Sequence, residues 1–301
     1  MRYPHILAAL ASEIWAMQPE KLLAIIDLMA MQADGVKFGA EEIEARIAPQ
    51  TASAIARKEG AVAIVPLRGI ISPRVSLTPN SSTGGGATAE GFSNMIDQMA
   101  GDDGVKAIVV DADTPGGNVL MVDEAAASIA AATERKPVIV QVNGNLASAG
   151  YWIGAAGSEI VMSPSAQAGA IGVRTAYDDV TAALEKQGVA REIISAGKYK
   201  GEGLLGPLSD EARAHTQSMV DGYYSMFVDR VAKGRNVSTD AVRNGFGQGR
   251  MVRAADAVRE GMADRIATMN QTLARFGAGP EAPRQKKFAA QREKRALALR
   301  G

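Results

Sequence analysis

Pro137-Val138-Ile139-Val140-Gln141-Val142, running into Asn143-Gly144-Asn145-Leu146-Ala147-Ser148-Ala149-Gly150-Tyr151-Trp152, decides how the chain is read. The first six residues form a β-branched, apolar run of the kind that makes a short buried strand. Residues 149–156 are small and apolar enough for a buried helix. Ser148 therefore falls at a strand-to-helix turn. Its hydroxyl there lies beside backbone N–H groups that lack intrahelical partners and near the positive end of a helix dipole, which suits a nucleophile whose attack creates an oxyanion. A plain N-cap is the commonest job of a serine at a helix start and is the reading the segment favours when taken alone.

Outward from this stretch, the pattern alternates between strands and helices. Strands are expected at residues 61–65, 67–71, 105–110, 159–162, 191–194 and 262–266, and helices at 89–100, 119–133, 178–187, 209–233, 238–246 and 254–261. Such alternation predicts an α/β fold with a mainly parallel sheet and crossover helices, in which sites gather at the carboxyl ends of strands. Asp111-Ala-Asp-Thr-Pro-Gly116-Gly117 leaves one such end and the Ser148 turn leaves another. Bare N–H groups at Gly116 and Gly117, with the Ala149 amide just after the serine, could form an oxyanion hole. A plain turn is the alternative.

The flanks differ from this body. Residues 6–16 and 19–31 read as helices, with Pro19 in a first-turn position, and a short third helix is expected over 40–47. This gives an N-terminal helical arm over 1–58. Residues 76–88 make a Gly/Ser-rich loop without a Walker lysine or a Gly-x-Gly-x-x-Gly pattern, so no phosphate site is read there. Gly and Pro from residue 277 onward mark a loss of compact structure, and the domain limits expected are 59–272 for the body and 273–301 for a basic, disordered tail.

Composition narrows the chemistry. The chain has 301 residues, 47% of them hydrophobic, 22% charged, and equal numbers of basic and acidic groups. Seven of its 33 Lys and Arg, but only one of its 33 Asp and Glu, fall from residue 284 onward, so an acidic body carries the basic tail. That tail could contact nucleic acid or an acidic protein surface, with a solvated terminal extension as the alternative reading; beyond the tail, nucleic acid is not an expected partner. With no cysteine, a cysteine nucleophile, thiolate metal sites and disulfides are excluded. Asp111 and Asp113 form no metal-ligand spacing with any histidine, and neither metal nor cofactor is expected. No apolar run reaches membrane-spanning length, and no secretory signal is read at the N-terminus.

A serine nucleophile needs a base. Histidine is the usual one, but His5 belongs to the arm and His215 falls inside the helix expected over 209–233. Lysine serves only where burial lowers its pKa enough to keep it neutral. Lys198 and Lys200, in Ser195-Ala-Gly-Lys-Tyr-Lys-Gly201, follow an apolar run and precede that helix. Solvated loop lysines are the alternative reading.

Five segments in order, Asp113-Thr-Pro-Gly-Gly117, Asn145-Leu-Ala-Ser-Ala-Gly-Tyr151, Gly169-Ala-Ile-Gly-Val173, Ser195-Ala-Gly-Lys-Tyr-Lys200 and Gly249-Arg-Met-Val-Arg-Ala-Ala-Asp256, resemble the signal peptide peptidase A family of Ser-Lys proteases. The resemblance covers roughly residues 60–270 and is greatest to the phage head-maturation and capsid-assembly branch. It implies a ClpP/crotonase-like fold, Ser148 as nucleophile, Lys200 as general base, and Gly117 and the Ala149 amide as oxyanion donors, with Gly116 permitting the turn. It further implies capsid, scaffold or portal proteins as substrates, a ring-shaped homo-oligomer with sites shared between subunits, and a location in the host cytoplasm or prohead interior. A soluble housekeeping peptidase and a non-catalytic assembly factor on the same fold are the alternatives. The sequence departs from the family pattern at Ala170, often a serine that can hydrogen-bond the base lysine, and mildly at Thr114, where serine is common.

Overall fold

The computed structural model describes residues 13–18, 22, 56–74 and 87–279. Its centre is a sheet of β2 (Arg57–Glu59), β3 (Val62–Arg68), β4 (Ala107–Thr114), β6 (Val138–Ala147), β7 (Glu159–Met162) and β10 (Arg265–Ile266), which lie side by side in that order. All neighbours along it are parallel except β2 with β3. Helices α1 (Ala89–Gly101) and α2 (Val122–Thr133) are the crossovers between β3, β4 and β6. This is the α/β, mainly parallel architecture read from the alternation of elements.

Alternation along each strand sends successive side chains to opposite faces, and both faces are covered. Ala63 and Val65 of β3, with Ile108 and Val110 of β4, pack into the larger core with Phe92 and Ile96 of α1 and Ile129 of α2. Val62, Ile64, Val109, Ile139 and Val161 point the other way, onto Leu273 of a closing helix, Met269–Ala274. That helix was not read from the sequence and runs across residue 272. Its start is fixed by a capping box between Thr268 and Gln271.

Several elements differ from expectation. Residues 67–71 do not form a separate strand. β3 continues through Pro66, which is tolerated because, among the described residues, β2 pairs only with Val62, Ala63 and Ile64 and none pairs with that edge at the proline. β6 runs on to Ala147 instead of turning at Asn143. Its first half pairs with β7 and its second with β8 (Gln167–Gly169), with a register shift against β4 between Ala112 and Thr114. β8 in turn pairs with β9 (Met251–Arg253).

Residues 191–194 form no strand. They find no sheet edge, and Ile194 is 92% exposed. Finally, the helix expected over 6–16 is contradicted at its end, where β1 (Trp15–Met17) is a strand antiparallel to β5 (Gly116–Asn118). Pairing with a partner a hundred residues away overrides a local preference when the segment is short. Residues 6–12, the helix expected over 40–47, loop residues 75–86 and the tail from 280 lie outside the described residues. So does the helix over 19–31, apart from Leu22, which is helical.

Candidate functional site

Ser148 closes β6 and opens the short helix α3 (Ala149–Gly154), as the sequence predicts. The turn is tight enough to force the serine backbone to φ 54°, ψ −117°, a region non-glycine residues rarely adopt. Such a conformation costs on the order of 1–3 kcal/mol and persists only where the surroundings over-determine it. Here the Ser148 N–H donates to the Gly169 carbonyl (2.7 Å) and the Ser148 carbonyl accepts from the Trp152 N–H (2.9 Å). The hydroxyl makes no capping hydrogen bond. Its nearest acceptor is the Gly172 carbonyl at 3.5 Å. The N-cap role favoured by the segment alone is therefore not the one the side chain performs, although Ser148 is only 1% exposed.

Behind the turn, α3 is held firmly. The Trp152 ring stacks on Phe227 of the long helix α5 (Asp210–Arg235), centroids 4.9 Å apart. The Trp152 indole N–H donates to Asp123 (3.1 Å), which also accepts two hydrogen bonds from Arg230 (2.9 and 2.8 Å). The Arg230 guanidinium holds the Asp123 carboxyl below the usual carboxylate range despite its partial burial. The Tyr151 hydroxyl donates to the Met262 carbonyl (2.9 Å), and burial pushes its pKa up.

Gly116 and Gly117 reach the same place from β4. Thr114 sets the turn: its hydroxyl donates to the Gly69 carbonyl (2.6 Å) and accepts from the Gly116 N–H (3.1 Å). Gly116 has φ 97°, and a Cβ there would lie 3.0 Å from the Ser148 Cβ. A Cβ on Gly117 would lie 1.8 Å from the Ile71 carbonyl oxygen, so only glycine fits. The Ala149 amide belongs to the first turn of α3, where no intrahelical acceptor exists. Three of the expected site residues, Ser148, Gly116 and Gly117, thus converge, with Ala149 following directly.

Lys200 does not join them within one chain. It is exposed, and among the described residues its side chain makes no hydrogen bond or ion pair. Lys198 is engaged elsewhere, with the Tyr199 hydroxyl (2.5 Å) and Glu211 (3.3 Å), which raise its pKa. That is the wrong direction for a base. His215 is on the exposed face of α5. Ala170, with φ 51°, is buried beside β8, and its N–H donates to the Arg250 carbonyl (2.9 Å).

Two contributors escaped the sequence reading. Asp113 accepts from the Asn145 N–H (2.9 Å) and so fixes the end of β6 that carries Ser148; its place two residues after Asp111 in a strand of period two was the available signal. β1, lying on Gly116 and Gly117, is too short for periodicity to reveal. Beyond the Gly172 carbonyl a cleft of about 470 Å³ opens between residues 171–173 and Tyr224 of α5. Among the described residues no group of three or more His, Asp or Glu could hold a metal ion, and no helix is long and apolar enough to cross a membrane.

Fold and site together define an α/β protein that holds a strained, uncapped serine beside Gly116 at the carboxyl edge of a parallel sheet. The chain belongs to peptidase family S49, which it matches over residues 130–281. Among its relatives is the capsid assembly protease C of Escherichia phage lambda, 31% identical over 214 residues, covering 70% of this chain and 48% of that one. The chloroplastic serine protease SPPA of Arabidopsis thaliana is 32% identical over 217 residues, 71% of this chain and 31% of the relative. A head-tail preconnector protein of Enterobacteria phage P21 is 24% identical over 245 residues, 81% and 48% of the two chains. The chain therefore spans about a third to a half of the length of these relatives.

Proposed function

We propose that the chain is a serine endopeptidase in which Ser148 is the nucleophile and Lys200, from a neighbouring copy in a ring-shaped homo-oligomer, is the general base. The observation that carries this reading is the Ser148 backbone at φ 54° with its hydroxyl uncapped and next to Gly116 and Gly117. Ser148 Oγ attacks a peptide carbonyl and passes its proton to neutral Lys200. The tetrahedral oxyanion is held by the Gly117 and Ala149 N–H groups. Collapse expels the amine, which takes the proton from Lys200 and leaves an acyl-enzyme. Water activated by Lys200 then releases the acid. The substrates proposed are capsid, scaffold or portal proteins in host cytoplasm or prohead, which the names of the two phage relatives support.

The test is acylation of the assembled protein by a serine-directed probe, read by intact mass for wild type, Ser148→Ala and Lys200→Ala. A single adduct on wild type that is lost in both variants is the expected result. No adduct on a correctly assembled wild type would move the reading to a non-catalytic assembly factor, the alternative favoured by Ala170 and by the exposure of Lys200 in the single chain.

A further inference from the structure

The strand Trp15–Met17 is bonded on both edges. On one side the Trp15 N–H donates to the Arg174 carbonyl (2.8 Å) and the Arg174 N–H donates back (3.0 Å). On the other, the antiparallel register sets Ala16 against Gly117, and the flanking bonds run from the Gln18 N–H to the Pro115 carbonyl (2.9 Å) and from the Val119 N–H to the Ile14 carbonyl (3.4 Å). Bonded pairs alternate in an antiparallel ladder, so Ala16 and Gly117 are the bonded pair between those two, and the Gly117 N–H donates to the Ala16 carbonyl. That carbonyl oxygen lies 2.2 Å, and the Ser148 Cβ 3.0 Å, from the point a Cβ of Gly116 would occupy. Ala16 is fully buried, Trp15 and Met17 nearly so, and Glu13 accepts from the Asn118 amide (2.8 Å).

We propose that residues 14–18 are an intramolecular peptide ligand of the Ser148 site: they fill the strand position a substrate takes, with the Ala16 carbonyl standing where an attacked carbonyl would be held. The inference rests on the proposed function, because the Gly117 N–H that would hold the oxyanion is the one the Ala16 carbonyl occupies. A single N–H cannot serve both well, so the segment leaves before a substrate strand enters. The ligand class follows from what fills the groove: an extended peptide with a small residue at the Gly117 position, between two large apolar ones. An occupied groove lowers apparent affinity by the fraction of molecules that are open.

The test uses the full chain carrying Ser148→Ala to prevent turnover, with and without Ala16→Asp, which sets a charge in a fully buried position. The probe is a fluorescein-labelled peptide of residues 13–18, Glu-Ile-Trp-Ala-Met-Gln, followed by anisotropy. Ala16→Asp is expected to tighten its binding by at least about tenfold, with no binding of the same peptide bearing Asp in place of Ala. Equal affinity with and without Ala16→Asp, or no binding to the substituted chain, overturns the proposal. Should Ala16→Asp lose its cooperative thermal transition, Trp15→Ala is compared in its place under the same criteria. Tighter binding without acylation of Ser148 in the wild type removes the peptidase reading and keeps the groove. Acylation with unchanged binding does the reverse.

Discussion

The segment that carries Ser148 and the segment that carries Lys200 are built in opposite ways. From Ala107 to Gly169 nearly every strand residue is buried and paired on both sides. Asp113 and the Gly169 carbonyl each fix one backbone N–H of the segment that carries Ser148, and Thr114 fixes the Gly116 turn beside it. From 174 to 208 the chain is largely exposed, holds one short helix (Thr181–Lys186), and sets Val189, Ile194, Tyr199 and Leu204 in solvent. A nucleophile in a strained conformation needs a rigid frame, which one chain supplies. A base that must be neutral needs burial, which one chain does not supply to Lys200. On the proposed reading, the second half of the site is completed by another surface.

The sharpest way to break that comparison is to mix Ser148→Ala with Lys200→Ala. Each alone is expected to lose hydrolysis of an unfolded protein substrate by at least about 10⁴-fold. Assembled together, they recover roughly a quarter of wild-type rate if serine and lysine come from neighbouring copies in a head-to-tail ring. No recovery would place both residues in one chain.

Gly117→Ala probes the rigid half. Its Cβ meets the Ile71 carbonyl and displaces the amide, and kcat is expected to fall by about 10²- to 10³-fold. Normal kcat would remove Gly117 from the oxyanion role.

Arg230→Met acts behind the turn. Losing the charged hydrogen bonds to Asp123 is expected to cost about 1.5–3 kcal/mol at neutral pH by denaturant unfolding. Because Asp123 is held below its ordinary value of about 3.9, its contribution is present above that pH and is lost as the pH falls through the lower folded value. The gap between wild type and variant should therefore narrow below about pH 4. A gap independent of pH would contradict the assignment. The smallest effect is expected for Lys198→Ala, with stability and rate both essentially unchanged, since its pairing with Glu211 is exposed. A large loss of rate would exchange the roles of the two lysines.

The sequence by itself determined the alternating body, the position of Ser148 between strand and helix, and the glycines that approach it. These rest on local rules: side-chain periodicity within one element and the steric demands of a turn. Only the tertiary structure decided that β6 passes from β7 to β8, that residues 191–194 find no sheet edge, and that Trp15, Ala16 and Met17 form a strand on Gly116 and Gly117. A three-residue strand exists through hydrogen bonds to its partners, and those partners lie a hundred or more residues away, where no local pattern records them.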